Sequence, residues 1–137
     1  MNTIYLKIII PNGVFYEGEI DILTLKTARG YIGIQKGHSP FFSSVEIGNL
    51  TINWSNSEKS QNFYIGGGII YADQKKINII TDDIINAKDI DINRAKSEIE
   101  NLQTQIKQNK DTVDILKLET KLKKALFRVE TYNLYNK

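Results

Sequence analysis

Ile90-Asp91-Ile92-Asn93-Arg94-Ala95 stands where this chain changes character. All nine glycines and both prolines lie at or before Gly68, whereas the stretch from about Lys88 onward has neither residue. Within that stretch Ile92, Ala95, Ile99, Leu102 and Ile106 recur at spacings of three and four, which places them on one stripe of an amphipathic helix. Asp89 or Asp91 can cap it, accepting from free backbone N–H groups at the positive end of the helix dipole. Lys107-Gln108-Asn109-Lys110 interrupts the pattern, Asp111 can cap a second helix, and a new stripe follows through Ile115, Leu118, Leu122, Ala125, Val129 and Tyr132. So short a polar connection predicts an antiparallel helical hairpin with the stripes facing each other. Leu116, Leu126 and Phe127 fall off the stripe and need a second surface, either the rest of the chain or another protein.

Upstream the chain reads as short β-rich runs punctuated by turn residues. Ile4–Ile10 precedes Pro11-Asn12-Gly13, and Val14–Tyr16 precedes Gly18. Ile20–Thr27, Ile32–Ile34, Val45–Ile47 and Leu50–Trp54 are each followed by a plausible tight turn. Phe63–Ile65, Ile69–Ala72 and Ile77–Thr81 complete the series, with Asp73-Gln74-Lys75-Lys76 as a polar hairpin turn. This regular spacing predicts an all-β sandwich or barrel. The chain is therefore divided into an N-terminal β-domain over 1–86 and a two-helix hairpin over 87–137.

A length of 137 residues with 41% apolar content is enough for a modest core, and a net charge of +2 is ordinary for a soluble protein. The charge is unevenly shared. Residues 1–86 carry seven Lys/Arg against eight Asp/Glu, and residues 87–137 carry eleven against eight. With no cysteine, thiolate nucleophiles, thiolate metal sites and disulfides are excluded. No stretch approaches the roughly 20 apolar residues that span a bilayer, so a cytoplasmic location without direct membrane insertion is expected.

Nothing in the chain assembles an enzyme's machinery. Gly66-Gly67-Gly68 lacks the Lys-Ser/Thr of a phosphate loop and runs into β-branched Ile69-Ile70, which favours close backbone packing or a bulge. His38 is the only histidine, and one alone makes neither a zinc site nor a catalytic triad. An alternative is a small nucleic-acid-binding β-domain with stacking residues Tyr31, Phe41, Phe42 and Trp54 and the hairpin as a dimeriser. The net negative charge of the β part argues against it, since such a groove is basic.

Taken in order, several strings resemble the epsilon subunit of F-type ATP synthases. They are Leu6-Lys7-Ile8 through Pro11-Asn12-Gly13, Tyr16-Glu17-Gly18-Glu19, Gly30-Tyr31-Ile32-Gly33-Ile34 to His38-Ser39-Pro40, Phe63-Tyr64-Ile65-Gly66-Gly67-Gly68, and Thr81-Asp82. The resemblance covers essentially the whole chain. It implies a sandwich of about ten strands followed by a C-terminal antiparallel α-helical hairpin, in a non-catalytic rotor subunit of the central stalk. Implied partners are the gamma shaft, the alpha/beta catalytic hexamer and the rotor ring, with the complex held at the cell membrane and no nucleic acid involved. The turn Ala28-Arg29-Gly30-Tyr31 is implied to face the ring and His38 to lie near gamma, although Arg29 is positive where that family's ring contact is acidic. Movement of the hairpin would restrain ATP hydrolysis.

Ile90-Asp91-Ile92-Asn93-Arg94-Ala95 is similar to a string that binds ATP in some bacterial members of that family. No cofactor is implied as required, and ATP enters as a weak regulatory ligand. The implied site is Ile90, Asp91, Arg94 and Ala95 with Lys124 and Arg128 from the second helix. Asp91 could accept from an adenine amino group or cap the helix, and Arg94 could meet phosphate oxygens. Ile85 stands where ATP-binding members have a glutamate, Asn101 where they have an arginine, and Lys124 replaces a further arginine. Each lost charge-assisted contact removes about 1.5–3 kcal/mol.

Overall fold

The computed structural model describes residues 2–136. Eight strands precede the helices: β1 Ile4–Ile10, β2 Gly13–Ile20, β3 Leu23–Thr27, β4 Gly30–Ile34, β5 Phe41–Ile52, β6 Gln61–Ala72, β7 Lys76–Ile80 and β8 Ile84–Asn86. A single 3-10 turn at Ala87–Asp89 leads into α1, Ile92–Gln108, and α2, Thr112–Tyr135. The hydrogen-bonded order is β2-β1-β7-β6-β5-β3-β4, with β8 paired to β6. β1 and β7 run parallel and every other pairing is antiparallel.

The count is eight, against the expected ten or so, because the two longest strands run straight through residues that resemble turns. Gly48-Asn49 lies inside β5 opposite Ile65 and Tyr64, and Gly66 and Gly68 lie inside β6 opposite Ile47 and Val45. At Gly48 the Tyr31 hydroxyl stands 3.1 Å from where a Cβ would be, so glycine there admits a neighbour instead of turning the chain. Conversely, Ile20–Thr27 is not one strand. It breaks at Asp21-Ile22, where the Asp21 N–H donates to Asn53 Oδ1 at 2.7 Å.

The glycines of β6 coincide with a change of face. Before them Phe63 and Ile65 point into the core, and after them Ile70 and Ala72 do, so the two-residue phase slips by one. β5 slips likewise, from Val45 to Leu50 and Ile52, while its pairing register with β6 is unbroken. Both strands turn over together and carry the sheet from one layer of the sandwich to the other. Ile4, Leu6 and Ile8 of β1, Leu23 and Leu25 of β3, and Ile77 and Ile79 of β7 then share a single core. Each such side chain contributes about 1.5–3 kcal/mol on burial.

The hairpin follows the spacing of its sequence. Asp91 caps α1, and Asp111 caps α2 by accepting from the N–H groups of Val113 and Asp114. Ala95 and Leu102 of the first stripe and Ala125 of the second are buried, with α1 packed on α2. α2 lies against β5, β6 and the 3-10 turn. Of the three off-stripe residues, Phe127 reaches the β-domain, with the Lys26 ammonium 5.8 Å from its ring centre. Leu116 and Leu126 remain 60% and 48% exposed.

Candidate functional site

Asp91 ends an extended segment, and its Oδ1 accepts from the Arg94 N–H at 3.1 Å, so its carboxylate is engaged as the α1 cap. Arg94 lies one turn further on and directs Nε to Glu98 Oε1 at 3.3 Å. This is an i,i+4 pair on one helix face. The other Glu98 oxygen, Oε2, lies 3.7 Å from Nη1 of Arg128, which reaches across from α2. Glu98 therefore bridges two guanidinium groups belonging to two helices.

Arg128 also faces the β-domain. Its Nη2 is 3.6 Å from Asp83 Oδ2 and its guanidinium lies over the Tyr64 ring. Lys124, one turn earlier on α2, approaches the same Asp83 oxygen at 4.0 Å. Tyr64 is fully buried and donates its hydroxyl hydrogen to Asp83 at 2.8 Å. Burial first, then the hydrogen bond to Asp83 and the charge of Asp83, push the Tyr64 phenol well above its ordinary value. Gly66 makes this arrangement fit, because a Cβ there would stand 2.0 Å from Asp83 Oδ2 and 2.8 Å from the Tyr64 hydroxyl.

Two neighbouring clefts open on this network. One, of about 360 Å³, is lined by Ile90, Asp91, Arg94, Ala95 and Arg128, five of the six residues expected at a ligand site. Lys124 lines the second, of about 390 Å³. Glu98 and Arg128 form walls of both clefts. Ile85 faces the first and Asn101 the second, so these two positions reach the site with uncharged side chains. Asp83, Glu98 and Tyr64 were not foreseen. The i,i+4 spacing of Arg94 and Glu98 was a readable signal, whereas Asp83 and Tyr64 meet the hairpin only through the tertiary fold. Among the described residues no group of His, Cys, Asp or Glu is placed to hold a metal ion.

The expected partner contacts divide into two places. Ala28, Arg29 and His38 line a cavity of about 450 Å³ with Phe41 and Phe42, and Gly30 opens β4 beside it. Tyr31 is turned elsewhere: its hydroxyl accepts from the Asn49 N–H at 3.4 Å, near the docked hairpin. From Phe42 at the edge of that cavity an apolar band crosses the outer face of the sheet. Phe42 pairs opposite Tyr71, Ile69 opposite Ile80, Ile80 beside Ile9, and Ile9 opposite Val14. Phe42, Ile69, Tyr71, Ile80 and Val14 are all exposed.

Residues 3–87 match the family model described as ATP synthase, Delta/Epsilon chain, beta-sandwich domain. The ATP synthase epsilon chain of Mycoplasmopsis synoviae is 36% identical over the full length of both chains. That of Mycoplasmopsis pulmonis is 41% identical over 91% of this chain and 89% of its own. A solved structure of the Euglena gracilis mitochondrial ATP synthase contains a chain of the same fold, with a TM-score of 0.75 at 17% identity, covering 98% of this chain and 79% of that one. A sandwich ending in a docked helical hairpin, matched over the whole or nearly the whole length by such relatives, places the chain in the epsilon-chain family of ATP synthases.

Proposed function

We propose that the chain is a non-catalytic rotor subunit of the central stalk, whose β-domain joins the gamma shaft to the membrane ring and whose hairpin restrains ATP hydrolysis when it leaves the sandwich. The complex would hold it at the cytoplasmic side of the membrane as a peripheral subunit, and no helix among the described residues is long and apolar enough to cross. The apolar band through Phe42, Ile69, Tyr71 and Ile80 suits a large permanent partner such as the shaft. The turn at Ala28-Arg29-Gly30 suits a second contact, that with the ring, and His38 on the same cavity suits the side towards gamma. ATP is proposed as a weak regulatory ligand of the cleft between α1 and α2.

The observation that carries the reading is the nature of hairpin docking. α2 is tied to the β-domain by polar links, Arg128 and Lys124 to Asp83 and Thr131 to Asn49, beside the small buried Ala125, while Val113, Leu116, Leu126 and Leu134 stay exposed. An interface of that kind exchanges at a cost of a few kcal/mol, and the exposed leucines are available to a second docking place. The basic run Lys117, Lys121, Lys123, Lys124 and Arg128 would meet acidic surfaces of the catalytic hexamer.

The test uses the absence of native cysteine. Asn49→Cys and Thr131→Cys, whose parent side chains touch, clamp the hairpin down when oxidised. The clamped and reduced subunits are each reconstituted with the alpha/beta hexamer and gamma. Faster hydrolysis with the clamp closed supports the reading, and equal rates with full assembly would rule out the inhibitory role.

A further inference from the structure

We infer that Glu98 sets the anion affinity of the cleft between the helices, its carboxylate standing where a ligand's phosphate would stand. The inference rests on the reading of that cleft as a nucleotide site and adds the residue that limits it. Glu98 presents one oxygen to Arg94 at 3.3 Å and the other to Arg128 at 3.7 Å. Two guanidinium groups converging from separate helices on the two oxygens of one anion is the arrangement by which phosphate is recognised. The protein supplies that anion itself.

The consequence is competition. Arg128 is already met by Asp83 on its other side, and Lys124 shares the same Asp83 oxygen, so each of the three cations has an internal carboxylate. A phosphate entering the cleft must displace Glu98 or approach it closely, and like charges within about 4 Å repel appreciably even near the surface. Glu98 can yield, since its side chain is 42% exposed and, among the described residues, its ion pairs with Arg94 and Arg128 hold it inward. It acts through Arg94 and Arg128 as a determinant of affinity and touches no reacting atom.

Titration calorimetry of ATP into the full chain tests this with wild type, Glu98→Gln and Arg94→Gln/Glu98→Gln. The amide in Glu98→Gln keeps the shape and removes the charge. Glu98→Gln is expected to tighten ATP by roughly tenfold, a factor equal to about 1.4 kcal/mol, and adding Arg94→Gln is expected to abolish the gain. Inorganic tripolyphosphate should show the same ratio, because the gain belongs to the phosphates. Glu98→Ala provides a second comparison should the amide pack poorly. If wild type binds ATP and neither Glu98 variant binds it more tightly, Glu98 is only a clasp between the helices and the inference fails while the nucleotide reading stands. If neither wild type nor variants release heat at millimolar ATP, both fall together.

Discussion

The Arg128 guanidinium carbon sits 4.7 Å from the centre of the Tyr64 ring, a cation from the hairpin lying on a fully buried aromatic of the sandwich. Asp83 completes the contact, accepting from the Tyr64 hydroxyl at 2.8 Å and standing 3.6 Å from Arg128. Helix and sheet are thus joined by a stacked cation and its counter-charge in one place. This is where docking of the hairpin is most open to perturbation.

Asp83→Asn should loosen the hairpin without unfolding the sandwich. The side chains of Asp83, Arg128 and Lys124 are about a quarter to a third exposed, at 27%, 28% and 31%. Loss of the carboxylate charge is therefore placed between the exposed and buried cases, at about 1–2 kcal/mol. Hydrogen exchange should quicken along α2 and leave β1 and β7 unchanged. Raising ionic strength should do the same to wild type more weakly.

Gly66 and Gly68 should respond differently to alanine although they are two residues apart. At Gly68 a Cβ would lie 2.4 Å from the Ile80 carbonyl oxygen, which belongs to the sheet and cannot withdraw. Gly68→Ala should cost about 1–3 kcal/mol of global stability, read as a lower Tm. At Gly66 the nearest obstacle is the Asp83 carboxylate, a side chain that can rotate away, and the Tyr64 hydroxyl at 2.8 Å is the far end of a side chain and not backbone. Gly66→Ala should spare more of the Tm and release α2, giving the exchange pattern of Asp83→Asn.

These contrasts also show what could be read in the sequence. The helices of the hairpin were legible in their stripes and caps: residues spaced at three and four turn inward and Asp91 and Asp111 cap as their positions imply, whereas Thr131, off the stripe, is buried as well. The sandwich was legible as a class but not in its strand count, because Gly48 and Gly66 to Gly68 serve close approach and a change of face within long strands. For the site, five residues that do line one cleft were identified, while their internal partners were only partly visible. Glu98 lies on the same helix face as Arg94 and local spacing could have found it. Asp83 and Tyr64 reach Arg128 only once β6 has folded beside the β7–β8 connection, and no local pattern encodes that distance.

Stability should fall in alkali in a way that depends on Tyr64. Its phenol has a raised pKa in the folded protein and the ordinary value of 10.0 when unfolded, so the folded state retains a proton that the unfolded state has released. The contribution is whole below about pH 10 and is lost as pH rises from there towards the folded value, at about 1.4 kcal/mol per pH unit. Urea midpoints at pH 9 and pH 11 should separate more for wild type than for Tyr64→Phe. Equal separations would mean that Tyr64 ionises freely while folded.

Asp91 can be divided into its two roles by a pair of substitutions. Asparagine caps helices about as well as aspartate, so Asp91→Asn should leave α1 stable, whereas Asp91→Ala should cost about 1 kcal/mol. Helix content and Tm of the full chain report the cap, and calorimetry with ATP reports the ligand. Weaker nucleotide binding in both variants, with stability lost only in the alanine form, assigns Asp91 a ligand role beyond its bond to the Arg94 N–H. Binding lost only alongside stability leaves it a cap alone.

Leu116 and Leu126 offer the last discrimination, since they are 60% and 48% exposed and lie off the stripe buried in the hairpin. Exposed substitutions of this kind change stability by no more than about 0.5 kcal/mol, so Leu116→Gln/Leu126→Gln should fold with a Tm close to that of wild type. If these leucines are the docking face of an extended hairpin, the variant should assemble with the alpha/beta hexamer and gamma yet restrain hydrolysis less, because two large apolar contacts at the second place are gone. Hydrolysis by the reconstituted head, measured alongside the Asn49→Cys/Thr131→Cys clamp, separates the causes. The clamp removes inhibition by keeping α2 on the sandwich, and the glutamines remove it with α2 free to leave. A variant that inhibits as strongly as wild type would show that α2 acts through its basic face, and Lys117, Lys121 and Lys123 would then be the residues to substitute.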